Sequence, residues 1–209
     1  CRMCTPLYSH LLKKEFEENP DLVTDQQYWR DNYEYSNKLK TIDVKTLTHK
    51  HLVYLNGGEP TVMKETYQFM RKCIDAGHTD FGLTIGTNAN FFSEQFWDLA
   101  KYFTQLHFSV SCDGYGIVNN YIRWRSNWDS IVENCHRIKQ EGHQFTWNHV
   151  PTIWGIHRTH EFFEFASREF PQESLYLQYN FVDLHSAFIS PMIEEVKESL
   201  RLAQETKLY

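Results

Sequence analysis

The stretch with the clearest capacity for chemistry is Leu52–Pro60, where an apolar run ends in two glycines, a carboxylate and a proline. The apolar run has the length and composition of a β-strand. Gly57 and Gly58 lack Cβ atoms, so a ligand can come within hydrogen-bonding distance of the main chain. Glu59 places a carboxylate at the C-terminal end of the strand, where α/β folds usually carry their chemistry. When the stretch is considered alone, an alternative interpretation is that Asn56-Gly57-Gly58 forms only a tight turn.

A second candidate is the Cys-x-x-Cys pair formed by Cys1 and Cys4. A redox pair, half of a zinc site, two unrelated thiols or two ligands of an iron–sulfur cluster all fit this spacing. We predict that the other cysteines, Cys73, Cys112 and Cys135, are packed thiols. The odd number of cysteines and the polar first twenty residues, which do not form a signal peptide, favour a reducing cytoplasm.

The composition indicates one packed globular domain over residues 1–209. Of the 209 residues, 41% are hydrophobic and 16% aromatic, and no apolar stretch approaches the roughly 20 residues that span a bilayer. The formal net charge of −6 and the absence of Lys/Arg blocks disfavour nucleic acid and anionic membranes as partners.

Strand and helix patterns alternate along the chain, which predicts an α/β fold with parallel strands. Helical spacing, caps and glycine stops predict the intervening helices, of which Ser93 caps one. Because the polar loops follow strands, we expect them to gather at one rim, which is the active-site face of such folds. Predicted strands cover residues 52–55, 81–85, 107–112, 144 to about 153, and 175–182.

Four short motifs follow one another along the chain: Cys1-Arg2-Met3-Cys4, Gly57-Gly58-Glu59-Pro60, Thr87-Asn88-Ala89 and Ser111-Cys112-Asp113-Gly114. Together they resemble motifs of the radical S-adenosylmethionine (SAM) enzymes, which are the last two cysteines of C-x-x-x-C-x-x-C, then GGE, T-N-G and S-I-D-G. Ala89 is a departure from the family's glycine. Ile122-Arg123, Trp128 and Asn134 continue the pattern of members that carry a SPASM or twitch domain, which would follow this chain.

The resemblance implies a partial (β/α)6 barrel of the TIM type whose first strand and first cluster cysteine precede Cys1. It implies a [4Fe–4S] cluster on Cys1 and Cys4, and SAM as the cofactor. Reductive cleavage of SAM would give a 5′-deoxyadenosyl radical that abstracts a substrate hydrogen, with peptide or protein modification as the expected outcome. A reductase or flavodoxin-type protein is the implied electron donor.

The resemblance also assigns roles around SAM. The segment Gly57–Pro60 would meet the ammonium, Arg123 the carboxylate, and Met3 the adenine. Asn88 and Ser111 would add neutral hydrogen bonds, although both also suit loop caps. Arg123 would equally suit a pairing with a surface carboxylate, and Asp113 a turn. The substrate-side candidates are Asp113, His149 and His185.

Other functions fit parts of the pattern. A radical-generating activase or an enzyme acting on a small molecule shares the cofactors. A non-catalytic homologue that binds SAM or peptide is favoured if the complete gene lacks an upstream cysteine. An aldolase-type barrel requires a Schiff-base lysine in a strand, and the predicted strands contain no lysine.

Overall fold

The computed structural model describes residues 14–15, 17–20, 39, 41–152, 154–177 and 193–206. Cys1, Met3, Cys4 and His185 lie outside these ranges, so the roles assigned to them stay predictions. The described strands form one sheet in the order β1-β2-β3-β4-β5, and every neighbouring pair is parallel. They are β1 (Leu52–Leu55), β2 (Gly82–Thr87), β3 (Leu106–Cys112), β4 (Gln144–His149) and β5 (Ser174–Leu177).

The open parallel sheet confirms the predicted α/β class and is consistent with part of a TIM-like barrel. Each crossover between described strands contains a helix, as parallel strands require. The helices are α1 (Lys64–Asp75), α2 (Glu94–Ala100), α3 (Ile117–Ile122), α4 (Trp128–Gln140), α5 (Thr159–Glu169) and α6 (Ile193–Glu205), with short 3₁₀ turns at Val44–Thr46, Pro60–Val62 and Ile156–Arg158.

Local signals set several element ends. The Ser93 side chain accepts a hydrogen bond from the Phe96 N–H and caps α2, as predicted. Strand β4 ends at His149, earlier than predicted, because the chain turns at Thr152, whose carbonyl accepts the N–H groups of Gly155 and Ile156. No helix in the described ranges is long and apolar enough to cross a membrane.

The two faces of the sheet differ in chemistry. The apolar face packs under the helices, and its central side chains are fully buried: Leu83, Ile85, Phe108, Val110, Phe145 and Trp147. The alternate residues form what we term the polar face: Thr84, Gly86, His107, Ser109, Ser111, Thr146 and Asn148. No described strand contains an Asp, Glu, Lys or Arg residue, so the polar face offers neutral hydrogen-bonding groups.

The predicted core thiols are buried. Cys73, Cys112 and Cys135 are free cysteines without solvent exposure. Burial raises the pKa of Cys73 to about 11 and raises the pKa of Cys112 and Cys135 as well. A raised pKa keeps these thiols protonated and unreactive, which fits packing rather than catalysis.

A candidate ligand site at the carboxyl edge of the sheet

The loop after β1 has the backbone that its glycines were expected to supply. Gly57 has φ +94° and Gly58 has φ +59°, both in the left-handed region that favours glycine. The Asn56 side chain accepts the Gly57 N–H at 2.9 Å and steadies the turn. Among the described residues, no hydrogen bond reaches the carbonyl oxygens of Gly57 and Gly58. The turn therefore presents two main-chain acceptors beside the sheet edge.

Glu59 joins this loop to the end of β2. Its Oε1 accepts hydrogen bonds from the hydroxyls of Thr61 (2.8 Å) and Thr87 (2.7 Å). Its Oε2 accepts the N–H of Asn88 at 2.8 Å. The carboxylate predicted from the sequence is thus held by donors of the chain itself.

The end of β2 carries the departure from the T-N-G motif. Ala89 has φ +52°, so the alanine adopts a conformation that usually selects glycine. Two hydrogen bonds hold it there: its N–H donates to Thr87 Oγ1 at 3.0 Å, and its carbonyl accepts from Asn134 Nδ2 at 2.9 Å. Its side chain is fully buried. The Asn88 side chain accepts the Asn90 N–H at 2.8 Å, which shapes the same turn.

The end of β3 is organised by an ion pair. Arg123 Nε lies 2.8 Å from Asp113 Oδ2, and Arg123 Nη2 donates to Oδ1 at 2.9 Å. The Asp113 side chain is fully buried, whereas that of Arg123 is 21% exposed. The buried Asn119 accepts the Asp113 N–H at 3.0 Å. Asp113 and Arg123, which the sequence analysis assigned to substrate and cofactor, therefore contact each other.

Strand register places the predicted neutral ligands in one row of the polar face. Ser111 lies opposite Asn148, and Asn148 lies opposite Tyr176. Asn88 directly follows Thr87, the last paired residue of β2. The amide oxygen of Asn148 is buried and accepts no hydrogen bond from the described residues. Sequence reasoning missed Asn148 and Tyr176, although the alternation of Phe145 and Trp147 with polar residues signals that Asn148 faces away from the helices.

His149 lies on the other side of the sheet. It continues the alternation of Phe145 and Trp147 on the apolar face, and its ring stacks on Phe162 with centroids 4.6 Å apart. Its Nδ1 lies 3.0 Å from the Cys112 carbonyl oxygen and donates to it. This position does not bring His149 to the Ser111–Asn148 row.

Burial makes His149 a pH-dependent part of the fold. Desolvation lowers its pKa to about 4, against about 6.5 in an unfolded chain. Stability contributed by the neutral ring is complete above pH 6.5 and is lost as the pH falls toward 4, because only the unfolded state gains a proton there. Between pH 7 and 4 we expect the free energy of unfolding of the wild type to fall by about 3 kcal/mol because of His149, and we expect the His149→Phe variant not to show this decrease. Urea unfolding across this range measures it, and parallel curves for the two proteins would contradict it.

The described side chains suit SAM in type but hold no metal cluster. The glycine carbonyls can accept from an ammonium, and the buried Asn148 amide oxygen, which accepts no hydrogen bond from the described part of the chain, can accept one from a ligand. Within the described ranges no group of three or more His, Cys, Asp or Glu side chains could hold a metal ion. The predicted cluster ligands Cys1 and Cys4 lie outside those ranges.

Comparison with known proteins identifies similar folds. No protein-family model matches the chain, and no curated protein matches it in sequence. Among solved structures, native anSMEcpe with bound AdoMet, which is S-adenosylmethionine, is similar with a TM-score of 0.52 and 14% identity, covering 74% of this chain and 47% of that one. Streptococcus suis SuiB bound to precursor peptide SuiA has a TM-score of 0.50 and 15% identity, covering 70% of this chain and 35% of that one. This chain thus spans less than half the length of either protein, and at these identities the similarity establishes a shared fold.

Proposed function

We propose that this protein is a radical SAM enzyme. The observation that carries the proposal is the joining of the GGE-like loop to the end of β2 through Glu59, with Ser111 on the neighbouring strand of the same edge. Three motifs far apart in sequence thereby meet at the carboxyl edge of a parallel sheet, where α/β folds bind ligands. A shared fold with an AdoMet-bound structure supports SAM as the ligand.

Each residue has a proposed task in holding SAM. Main-chain acceptors of the segment Gly57–Pro60 meet the ammonium, and the Arg123 guanidinium meets the carboxylate. Asn88 and Ser111 supply neutral hydrogen bonds from adjacent strands, and Met3 contacts the adenine. Cys1 and Cys4 are proposed ligands of a [4Fe–4S] cluster.

The cofactors supply the hard chemistry, and the chain supplies orientation. When bound, the cluster would deliver the electron that cleaves SAM to methionine and a 5′-deoxyadenosyl radical able to abstract a substrate hydrogen. A reductase or flavodoxin-type partner in a reducing cytoplasm would provide that electron. The polar face of the sheet carries no Asp, Glu, Lys or Arg side chain, so the described strands would place no unpaired charge of their own beside the reacting centre, where such charges are costly to desolvate.

A peptide is the proposed substrate class. SuiB, which shares the fold, binds a precursor peptide. In this chain several apolar side chains are exposed in the loops that follow β1, β2 and β3, among them Val62, Phe91 and Trp124. Asn90 connects two of these loops by donating to the Arg125 carbonyl and accepting the Asn127 N–H. Exposed aromatic and aliphatic groups beside a polar site suit a peptide chain with mixed side chains.

The test is reductive SAM cleavage by the full-length gene product, reconstituted anaerobically with iron and sulfide. We expect 5′-deoxyadenosine from the wild type and a loss of about a hundredfold or more in Cys1→Ala and Cys4→Ala, since a missing ligand disrupts the cluster. Cys73→Ala removes a buried thiol away from the sheet edge and is expected to retain both cluster and product. A wild type that assembles no cluster would contradict the enzyme proposal and favour a binding protein.

A further inference from the structure

The carboxylate of Glu59 is surrounded by donors from its own chain. Besides the hydroxyls of Thr61 and Thr87 and the N–H of Asn88, the Thr61 N–H approaches Oε1 at 3.4 Å. Hydrogen bonds to an ionised acceptor are stronger than those between neutral groups. Both carboxylate oxygens are therefore engaged before any ligand arrives.

The enclosing hydroxyls lie away from the polar face. Thr87 follows Leu83 and Ile85 at two-residue spacing, so its side chain is on the apolar face, where it is 3% exposed. Thr61 is fully buried. The Glu59 carboxylate is thus directed to the side of the sheet that the helices cover, and the ligand row of Ser111 and Asn148 is on the opposite side.

The Thr87 hydroxyl also connects Glu59 to the turn that follows β2. Thr87 Oγ1 donates to Glu59 and accepts the N–H of Ala89, which holds the left-handed turn that presents Asn88. One end of the network is the glycine turn after β1 and the other is the Asn88 turn after β2. Glu59 thereby fixes the spacing of these two turns.

We propose that Glu59 is a positioning residue, which sets the glycine-turn carbonyls and Asn88 for the cofactor while neutral acceptors meet the SAM ammonium. This role rests on the proposed function, because it takes SAM as the ligand. Within the segment Gly57–Pro60, which was expected to meet the ammonium, this role gives the contact to main-chain carbonyls and not to the Glu59 carboxylate.

The test compares SAM with 5′-methylthioadenosine, which lacks the ammonium and the carboxylate, by calorimetric titration of the cluster-loaded full-length protein. Glu59→Gln replaces one of the two accepting oxygens with an NH2 group, so it cannot accept from Thr61, Thr87 and Asn88 in the same arrangement. Thr87→Val removes a donor that cannot reach the polar face. We expect each to weaken SAM binding about tenfold, to change 5′-methylthioadenosine binding by less than about twofold, and to lower Tm by about 5 °C. Thr84→Val, a matched change on the polar face away from this edge, should alter neither affinity.

Two results would overturn the proposal. Selective weakening of SAM binding by Glu59→Gln alone would mean that the carboxylate contacts the ammonium. Lower Tm with unchanged SAM affinity in both variants would leave Glu59 a purely structural role. A wild type with a loaded cluster that binds no SAM refutes the proposed function instead. In that case the Tm of a variant that carries both Glu59→Gln and Thr87→Val still tests the hydrogen bond between the two residues. If the bond is present, the double variant lowers Tm no more than the more destabilising of the two single variants does.

Discussion

Trp147→Ala is expected to lower the free energy of unfolding by about 3–5 kcal/mol, because it empties the centre of the apolar face. Trp147 is fully buried on β4, the fourth strand of the sheet. Its ring centroid lies 5.2 Å from that of Phe145, 5.4 Å from Phe162 and 5.7 Å from Phe170. Those rings come from the strand, from α5 and from the segment after α5, so the cavity would separate several elements.

Two controls separate cavity formation from loss of an indole. Trp147→Phe keeps most of the ring and removes an Nε1–H that donates to none of the described residues, so we expect a loss below about 1.5 kcal/mol. Trp124→Ala removes an indole that is 66% exposed, and we expect a change within about 1 kcal/mol. Urea unfolding at pH 7 measures all three. Similar losses for Trp147→Ala and Trp124→Ala would contradict the packing described.

Arg123→Met is expected to lower the free energy of unfolding by a similar amount, about 3–5 kcal/mol, for an electrostatic reason. The substitution removes two close contacts from a carboxylate whose side chain has no solvent exposure. A buried charge that loses its counter-charge keeps its desolvation cost. We therefore expect the loop after β3 to lose stability together with the sheet edge it covers.

A double-mutant cycle tests this assignment. The variant that carries both Asp113→Asn and Arg123→Met should have a free energy of unfolding little lower than that of Arg123→Met alone, because it no longer contains the negative charge of Asp113 that Arg123 balances. Arg158→Met provides a matched control, since Arg158 forms a two-point contact with Glu161 but is exposed, and we expect less than about 1 kcal/mol. Additive losses for Asp113→Asn and Arg123→Met would show that the pair is not coupled.

The sequence predicted the class of fold because its signals are local. A helix between two consecutive strands returns the chain to the end of the sheet where the first strand began, so the two strands run parallel. The described sheet is parallel throughout. Gly57 and Gly58 predicted backbone freedom after β1, and both have positive φ. The cap at Ser93 could be predicted from the sequence as well, since it depends on residues three positions apart.

The end of a strand could not be located from the sequence alone. Strand β4 was expected to reach about residue 153, but it ends at His149 because the chain turns at Thr152. His149 was offered as a substrate-side candidate because it lies near a strand end. In the structure its ring packs on Phe162, on the face that its alternation with Phe145 and Trp147 gives it.

The sequence by itself determined the parallel α/β order, the glycine turn and the burial of Cys73, Cys112 and Cys135, because hydrophobic periodicity and backbone preference act within a few residues. Only the tertiary structure decided that Glu59 bonds to Thr87 and Asn88, and that Asn148 lies opposite Ser111. These contacts join residues 28 to 37 positions apart. The local alternation fixes the face on which each side chain lies, but which residues become neighbours depends on pairing between strands that are distant in the chain.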